Sequence, residues 1–191
     1  MRGSYTWGSR MAVLRKAGVI ALVMVVLWSG AALAHGPRYH KVRLVRFPRP
    51  PPAPEFQLPD DKGGVVALKD FRGQFLLLNF WATWCPPCVR EMPSMERLSK
   101  IMGDRSFTVL GISLDKEGPK KVLPFIKRLG VTFPIAFDTS AKVSGLYGAR
   151  DLPSTFLIDP QGRVVAAAKG ARDWAADDMV AYLKEVISSK P

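Results

Sequence analysis

Cys85 and Cys88 are the only two cysteines in this chain, and their C-x-x-C spacing puts them at the junction of two unlike segments. Before them, Phe75-Leu76-Leu77-Leu78-Asn79-Phe80-Trp81 is an apolar and aromatic run that predicts a buried strand. After them, Val89 through Met102 carries helix formers with apolar side chains at Met92, Met95, Leu98, Ile101 and Met102. The dithiol is therefore expected where a central strand ends and a helix begins. Unpaired backbone N–H groups and the positive end of the helix dipole stabilise a thiolate there, and the thiolate is the reactive form of cysteine.

Blander roles for the pair fit less well. Structural zinc needs about four Cys or His ligands, and the only histidines, His35 and His40, lie far upstream. No metal is expected. A structural disulfide across so short a loop removes little entropy from the unfolded chain. Two unrelated core cysteines do not explain Pro86 and Pro87 packed between them. Redox chemistry remains, with the Cys85–Cys88 disulfide as its own redox group and no separate cofactor.

At 191 residues the chain holds one ordinary domain and a tail, and 48% hydrophobic residues suffice for a packed core. A net charge of +12 suggests nucleic acid until it is located. Residues 1–34 hold four basic and no acidic residues, and residues 35–54 hold five basic and none acidic. Residues 55–191 balance 19 basic against 16 acidic, so no basic face for nucleic acid is expected there. The leader has the layout of an export signal. Arg10, Arg15 and Lys16 precede the apolar run from Ala17 to Trp28, and Ala32-Leu33-Ala34 is an A-x-A cleavage pattern before His35. Cleavage after Ala34 is the favoured outcome; residues 17–34, 18 in all, also reach the lower limit of a membrane anchor. Either outcome exports the domain, to a bacterial periplasm, and Met11 is an alternative start.

Residues 35–54 read as a basic, proline-rich linker, with Pro48, Pro50, Pro51, Pro52 and Pro54 favouring an extended spacer. It is either solvated or laid against anionic head groups. The domain is expected over 55–191. Val65 to Leu68 predicts a hairpin strand behind the turn Asp61 to Gly64, and Phe107 to Ser113 a second buried strand. Helices are predicted over Lys120–Leu129, closed by Gly130, over Ser140–Tyr147, and from about Asp173 to Ser188. Ile135 to Phe137 is a short strand, and Thr155–Ile158 and Arg163–Ala168 form a hairpin across Asp159-Pro160-Gln161-Gly162. This alternation implies an α/β sandwich on a mixed sheet.

The segment from Asn79 to Cys85, the triplet Glu91-Met92-Pro93, the run from Leu152 to Asp159, and Gly162 resemble the TlpA/ResA-like family of exported thioredoxin-fold thiol–disulfide oxidoreductases. The resemblance spans roughly residues 55–188. It implies a thioredoxin fold with an added N-terminal β-hairpin and an insertion between the βαβ and ββα halves. It also implies thiol reduction in the periplasm, commonly in cytochrome c or copper-centre maturation. The partners are then client proteins with cysteine pairs and a membrane thiol electron donor. Cys85 becomes the solvent-facing attacking thiol and Cys88 the resolving one. Pro153, after Leu152, matches the family's cis-proline, whose loop offers backbone groups to an extended client segment. Trp84 is either a flat apolar wall for the dithiol or ordinary core packing.

Glu91 is the third proposed catalytic residue. Thioredoxins proper carry a buried Asp where this chain has Asn79, so another group must assist deprotonation of Cys88. Glu91 matches a family glutamate in C-x-x-C-x-x-E and serves either as that base or as a solvated helix carboxylate or first-turn complement to the helix dipole. Pro93 is expected to kink the helix. Pro86 and Pro87 remove two amide donors beside Cys85 Sγ, which leaves its thiolate less stabilised and biases the protein towards reduction. The alternative from a different class is a Cu(I) chaperone using both cysteines with Met92 or Met95. A peroxidase reading lacks support, since both cysteines share one turn.

Overall fold

The structure is a computed structural model that describes residues 44–103 and 106–189. The leader and the first part of the spacer, residues 1–43, lie outside the described residues. Among the described residues no helix is long and apolar enough to cross a membrane.

The strands are β1 (Val45–Arg46), β2 (Gln57–Pro59), β3 (Val65–Ala67), β4 (Phe75–Trp81), β5 (Phe107–Ser113), β6 (Ile135–Phe137), β7 (Ser154–Ile158) and β8 (Val164–Lys169). The helices are α1 (Pro86–Met102), α2 (Pro119–Leu129), α3 (Lys142–Leu146) and α4 (Asp177–Ser188). Six strands form one mixed sheet in the order β1-β8-β7-β4-β5-β6, and β2 and β3 form a separate hairpin. The expected halves are both there: β4–α1–β5 with parallel pairing, and β7–β8–α4 with antiparallel pairing. Between them lie α2, β6 and α3. This is the thioredoxin-like α/β fold with an added N-terminal hairpin.

β4 is central, and its seven residues are all buried because both sheet faces are covered. Strand periodicity then sorts its side chains. Phe75, Leu77 and Trp81 join the core with Met92, Met95 and Leu98 of α1, Val122 and Ile126 of α2, and Met179 and Leu183 of α4. Leu76, Leu78 and Phe80 face the other way, towards Leu58 and Leu68 of the hairpin region and Tyr147 after α3. Asn79, by the same alternation, falls on the α1 face. Gly111 of β5 is required on that face, because a Cβ there would stand 2.7 Å from Ile135 Cδ1 and 3.1 Å from Trp81 Nε1.

The structure revises three boundaries. Residues 44–54, expected as the end of the spacer, lie along the β8 edge of the sheet. Val45 and Arg46 pair with Ala167 and Ala166, Phe47 N–H donates to Val165 O (3.0 Å), and Ala53 N–H donates to Gly162 O (2.9 Å). An extended, proline-rich backbone suits an edge, where a missing N–H costs no ladder bond. Helix α1 begins at Pro86 rather than Val89, with both prolines in its first turn where the absent N–H would have been unpaired anyway. It runs on past Pro93 to Met102. Helix α4 begins at Asp177, leaving Asp173 and Trp174 in the preceding turn.

Candidate active site

The apolar run of β4 ends in the core at Trp81, and the chain turns outward through Ala82, Thr83 and Trp84. Cys85 N–H closes that turn on Ala82 O at 3.2 Å. Cys85 is then the N-cap of α1: its backbone is extended, and its Sγ accepts the Cys88 N–H at 3.3 Å. The two cysteines form a disulfide with 5.3 Å between their Cα atoms. Prolines hold the first two helical positions, so Cys88 supplies the first amide of the helix that can donate to Cys85 Sγ. The expected loss of donors is thus a loss of two with one retained. The expectation of a solvent-facing Cys85 needs correction. It is 5% exposed, against 0% for Cys88, so it is the more accessible sulfur but sits nearly flush with the surface.

Glu91 is buried, which removes the solvated-carboxylate alternative. It stands three residues after Cys88, on the same face of α1. Asn79 Nδ2 donates to Glu91 Oε1 at 2.9 Å and to Thr155 Oγ1 at 2.9 Å. Trp174 Nε1–H donates to Glu91 Oε2 at 3.1 Å, and Arg172 N–H donates to the same oxygen at 3.2 Å. Burial disfavours the carboxylate more than these donors favour it, and the pKa rises to about 7. A carboxyl poised there exchanges protons readily near neutral pH.

Trp84 is 61% exposed beside the dithiol, so core packing does not explain it. The Leu152–Pro153 peptide bond is cis, as the resemblance implied. Pro153 O accepts Gly170 N–H at 2.9 Å, which ties its loop to the end of β8. Leu152 is half-buried and packs against both core clusters. Met92 and Met95 are fully buried among the core side chains. Among the described residues no group of three or more His, Cys, Asp or Glu side chains could hold a metal ion.

Three residues of the Glu91 network escape sequence reasoning, Thr155 and Trp174 through their side chains and Arg172 through its main-chain N–H. Thr155 lies opposite Asn79 in the β4–β7 register. Asn79 in an otherwise apolar β4 and the polar pair Ser154-Thr155 opening β7 are a usable signal, since buried polar groups must find partners. Trp174 and Arg172 lie more than 80 residues from Glu91 and follow no periodic pattern. Trp174 is set by Ser94: its N–H donates to Ser94 Oγ at 3.1 Å, while Ser94 Oγ donates to Glu91 O at 2.7 Å.

Comparison with known proteins bears on this arrangement directly. The AhpC/TSA family matches residues 51–167. The chain belongs to that family. Within the AhpC/TSA family it is similar to the thiol-disulfide oxidoreductase ResA of Bacillus thuringiensis (strain Al Hakam), 37% identical over 134 residues, covering 70% of this chain and 76% of that one. It is 39% identical over 135 residues to ResA of Geobacillus thermodenitrificans (strain NG80-2), covering 70% and 75%. Among solved structures, a thioredoxin-family thiol:disulfide interchange protein from Chlorobium tepidum TLS superposes with a TM-score of 0.61 at 31% identity. That match covers 72% of this chain and 97% of the other. The protein is a TlpA/ResA-like thiol–disulfide oxidoreductase whose Cys85–Cys88 pair is its C-x-x-C disulfide.

Proposed function

We propose that this protein is an exported dithiol reductase acting on client proteins with cysteine pairs, in cytochrome c or copper-centre maturation. A membrane thiol donor re-reduces it. In the reduced protein Cys85 Sγ, as thiolate, attacks one sulfur of the client disulfide. A mixed disulfide forms, and the second client sulfur leaves as a thiolate. Glu91 takes the proton of Cys88, and Cys88 attacks Cys85 Sγ. The client leaves with both electrons and the Cys85–Cys88 disulfide remains. Trp84 forms the apolar wall of the docking face, and the Leu152–Pro153 loop lies against an extended client segment.

The observation that carries this reading is the N-terminus of α1, where Pro86 and Pro87 leave Cys88 as the near amide donor to Cys85 Sγ. A thiolate with fewer donors is less stable, so the reduced form gives its electrons away more readily. Export rests on the leader sequence, with residues 1–34 as signal or, through residues 17–34, as anchor.

Client trapping tests the proposal. Cys88→Ala protein expressed with its leader is expected to accumulate mixed disulfides with periplasmic proteins through Cys85, and Cys85→Ala protein none. Adducts on Cys85→Ala would reverse the assignment of the two sulfurs. Trapped clients without cysteine pairs would remove the reductase reading.

A further inference from the structure

Two residues before Cys85, the turn between β4 and α1 is fastened from outside. Asp115, in the turn after β5, is wholly buried. Its Oδ2 accepts the Thr83 N–H at 2.8 Å, and its Oδ1 accepts the Thr83 hydroxyl. Ser113 Oγ–H donates to Oδ2 at 3.0 Å, and Ser113 Oγ in turn accepts the Asp115 N–H at 3.1 Å. Leu114 N–H donates to Trp81 O at 2.9 Å, so the two turns are stitched at a second point. Lys121, in the first turns of α2, places its Nζ 3.2 Å from Asp115 Oδ1 and 3.6 Å from Glu117 Oε1.

A buried carboxylate needs a reason to be near a redox centre that works through a thiolate. A bare negative charge there would oppose thiolate formation. Adjacent Cα atoms are about 3.8 Å apart, so Thr83 and Cys85 are separated by at most about 7.6 Å between Cα atoms. The clamp therefore stands close enough for both position and charge to matter. Hydrogen bonds from Thr83 and Ser113, with the Lys121 ammonium, hold the Asp115 carboxyl below its ordinary range despite burial. It is ionised at neutral pH.

We infer that Asp115 is a positioning residue that holds the Thr83–Trp84–Cys85 turn in its attack geometry, and that Lys121 neutralises the clamp so that its charge does not reach the dithiol. The inference takes Cys85 as the attacking thiol from the proposed function but not the client or the direction of electron flow. The two roles separate because they predict different signatures. Position acts on the rate of attack by the thiolate once formed, and charge acts on the pKa of Cys85.

The experiment uses reduced full-length protein and two readouts. Iodoacetamide alkylation across pH gives the Cys85 pKa, and the rate with an oxidised peptide disulfide, corrected to the thiolate fraction, reports geometry. Lys121→Met keeps every hydrogen bond of the clamp to Thr83 but exposes its charge. The Cys85 pKa is expected to rise by roughly half a unit, with the corrected rate unchanged. Asp115→Asn removes the charge and weakens the fastening. The pKa is expected to fall, and the corrected rate to drop by roughly ten- to a hundred-fold, as for a small misplacement of a reacting atom. In the double variant the pKa returns towards the parent value while the rate stays low. Thr83→Ala removes only the side-chain bond and gives a smaller loss of rate at unchanged pKa, which keeps the test open if Asp115→Asn does not fold. Equal corrected rates in the parent and in the folded Asp115 or Thr83 variants overturn the positioning role. A pKa that falls or stays fixed in Lys121→Met overturns the shielding role. If the parent itself is not alkylated at Cys85, it is the assignment of the attacking sulfur that fails.

Discussion

At the scale of single residues, the carboxyl of Glu91 is where structure and proton chemistry meet most closely. Its pKa of about 7 exceeds the ordinary 4.5 because burial outweighs the donors Trp174, Asn79 and Arg172. The folded protein therefore holds this proton more tightly than the unfolded chain does. Its contribution to stability is complete below about pH 4.5 and is lost as pH rises through about 7, a loss of about 3 kcal/mol. Glu91→Gln, which cannot ionise, should remove that slope, and denaturant titrations at pH 5 and pH 8 measure it. The same variant should leave the first attack by Cys85 intact and slow release of the mixed disulfide by roughly 10²-fold. Stopped-flow tryptophan fluorescence follows release, and kinetics identical to the parent across pH would return Glu91 to a structural role. How far this site was legible depends on the residue. C-x-x-C-x-x-E and the missing acid at position 79 both point to Glu91 through the family resemblance. Its burial depends on Trp174 and Arg172, which a distant turn delivers, and no local pattern encodes that.

At the scale of elements, the proposed redox bias rests on the first turn of α1. An N-cap side chain accepts from the second or third helical N–H. Here the second is Pro87, which has none, and the third is Cys88, which donates to Cys85 Sγ at 3.3 Å. Pro87 is accordingly the more consequential proline. Pro87→Ala restores a donor in reach of the thiolate, and a hydrogen bond to a charged group is worth about 1.5 kcal/mol or more. The Cys85 pKa should fall by about one unit, and the potential, measured above that pKa, should rise by about 30 mV. Pro86→Ala should do less. Equilibration with glutathione distinguishes them, and equal or absent shifts would mean that these amides do not set the poise. Elements driven by apolar burial, such as β4, β5 and α1, were legible because their periodicity is their packing. β1 was not: its place on the sheet rests on backbone bonds at an edge, and charged and proline residues read the same in an edge strand as in a spacer. The start of α4 was misplaced for a related reason. Trp174 looks like the first apolar residue of that helix, yet it is buried against Glu91 in the turn before it.

At the scale of the whole molecule, the redox potential of the dithiol and the stability of the fold are linked by one thermodynamic cycle. Oxidised and reduced, folded and unfolded states form a closed cycle. If the fold makes the dithiol a stronger reductant than the same two cysteines in the unfolded chain, it must stabilise the disulfide form by the same free energy. Each 30 mV of that difference corresponds to about 1.4 kcal/mol. The structural sources are those described above. Two prolines withhold donors from the Cys85 thiolate, and both sulfurs sit at the margin of the core, where a charged form is poorly solvated. The oxidised protein should therefore unfold at a higher temperature than the reduced protein, by several degrees for each such increment in a domain of this size. Pro87→Ala should narrow the gap, because it restores a donor that the thiolate of the reduced form accepts more strongly than the disulfide sulfur does. Thermal melts of both redox forms at pH 8, in parent and variant, test the cycle without any client or electron donor. A reduced protein that melts at the higher temperature would mean that the fold stabilises the dithiol, and the proposed direction of electron flow would have to be reversed.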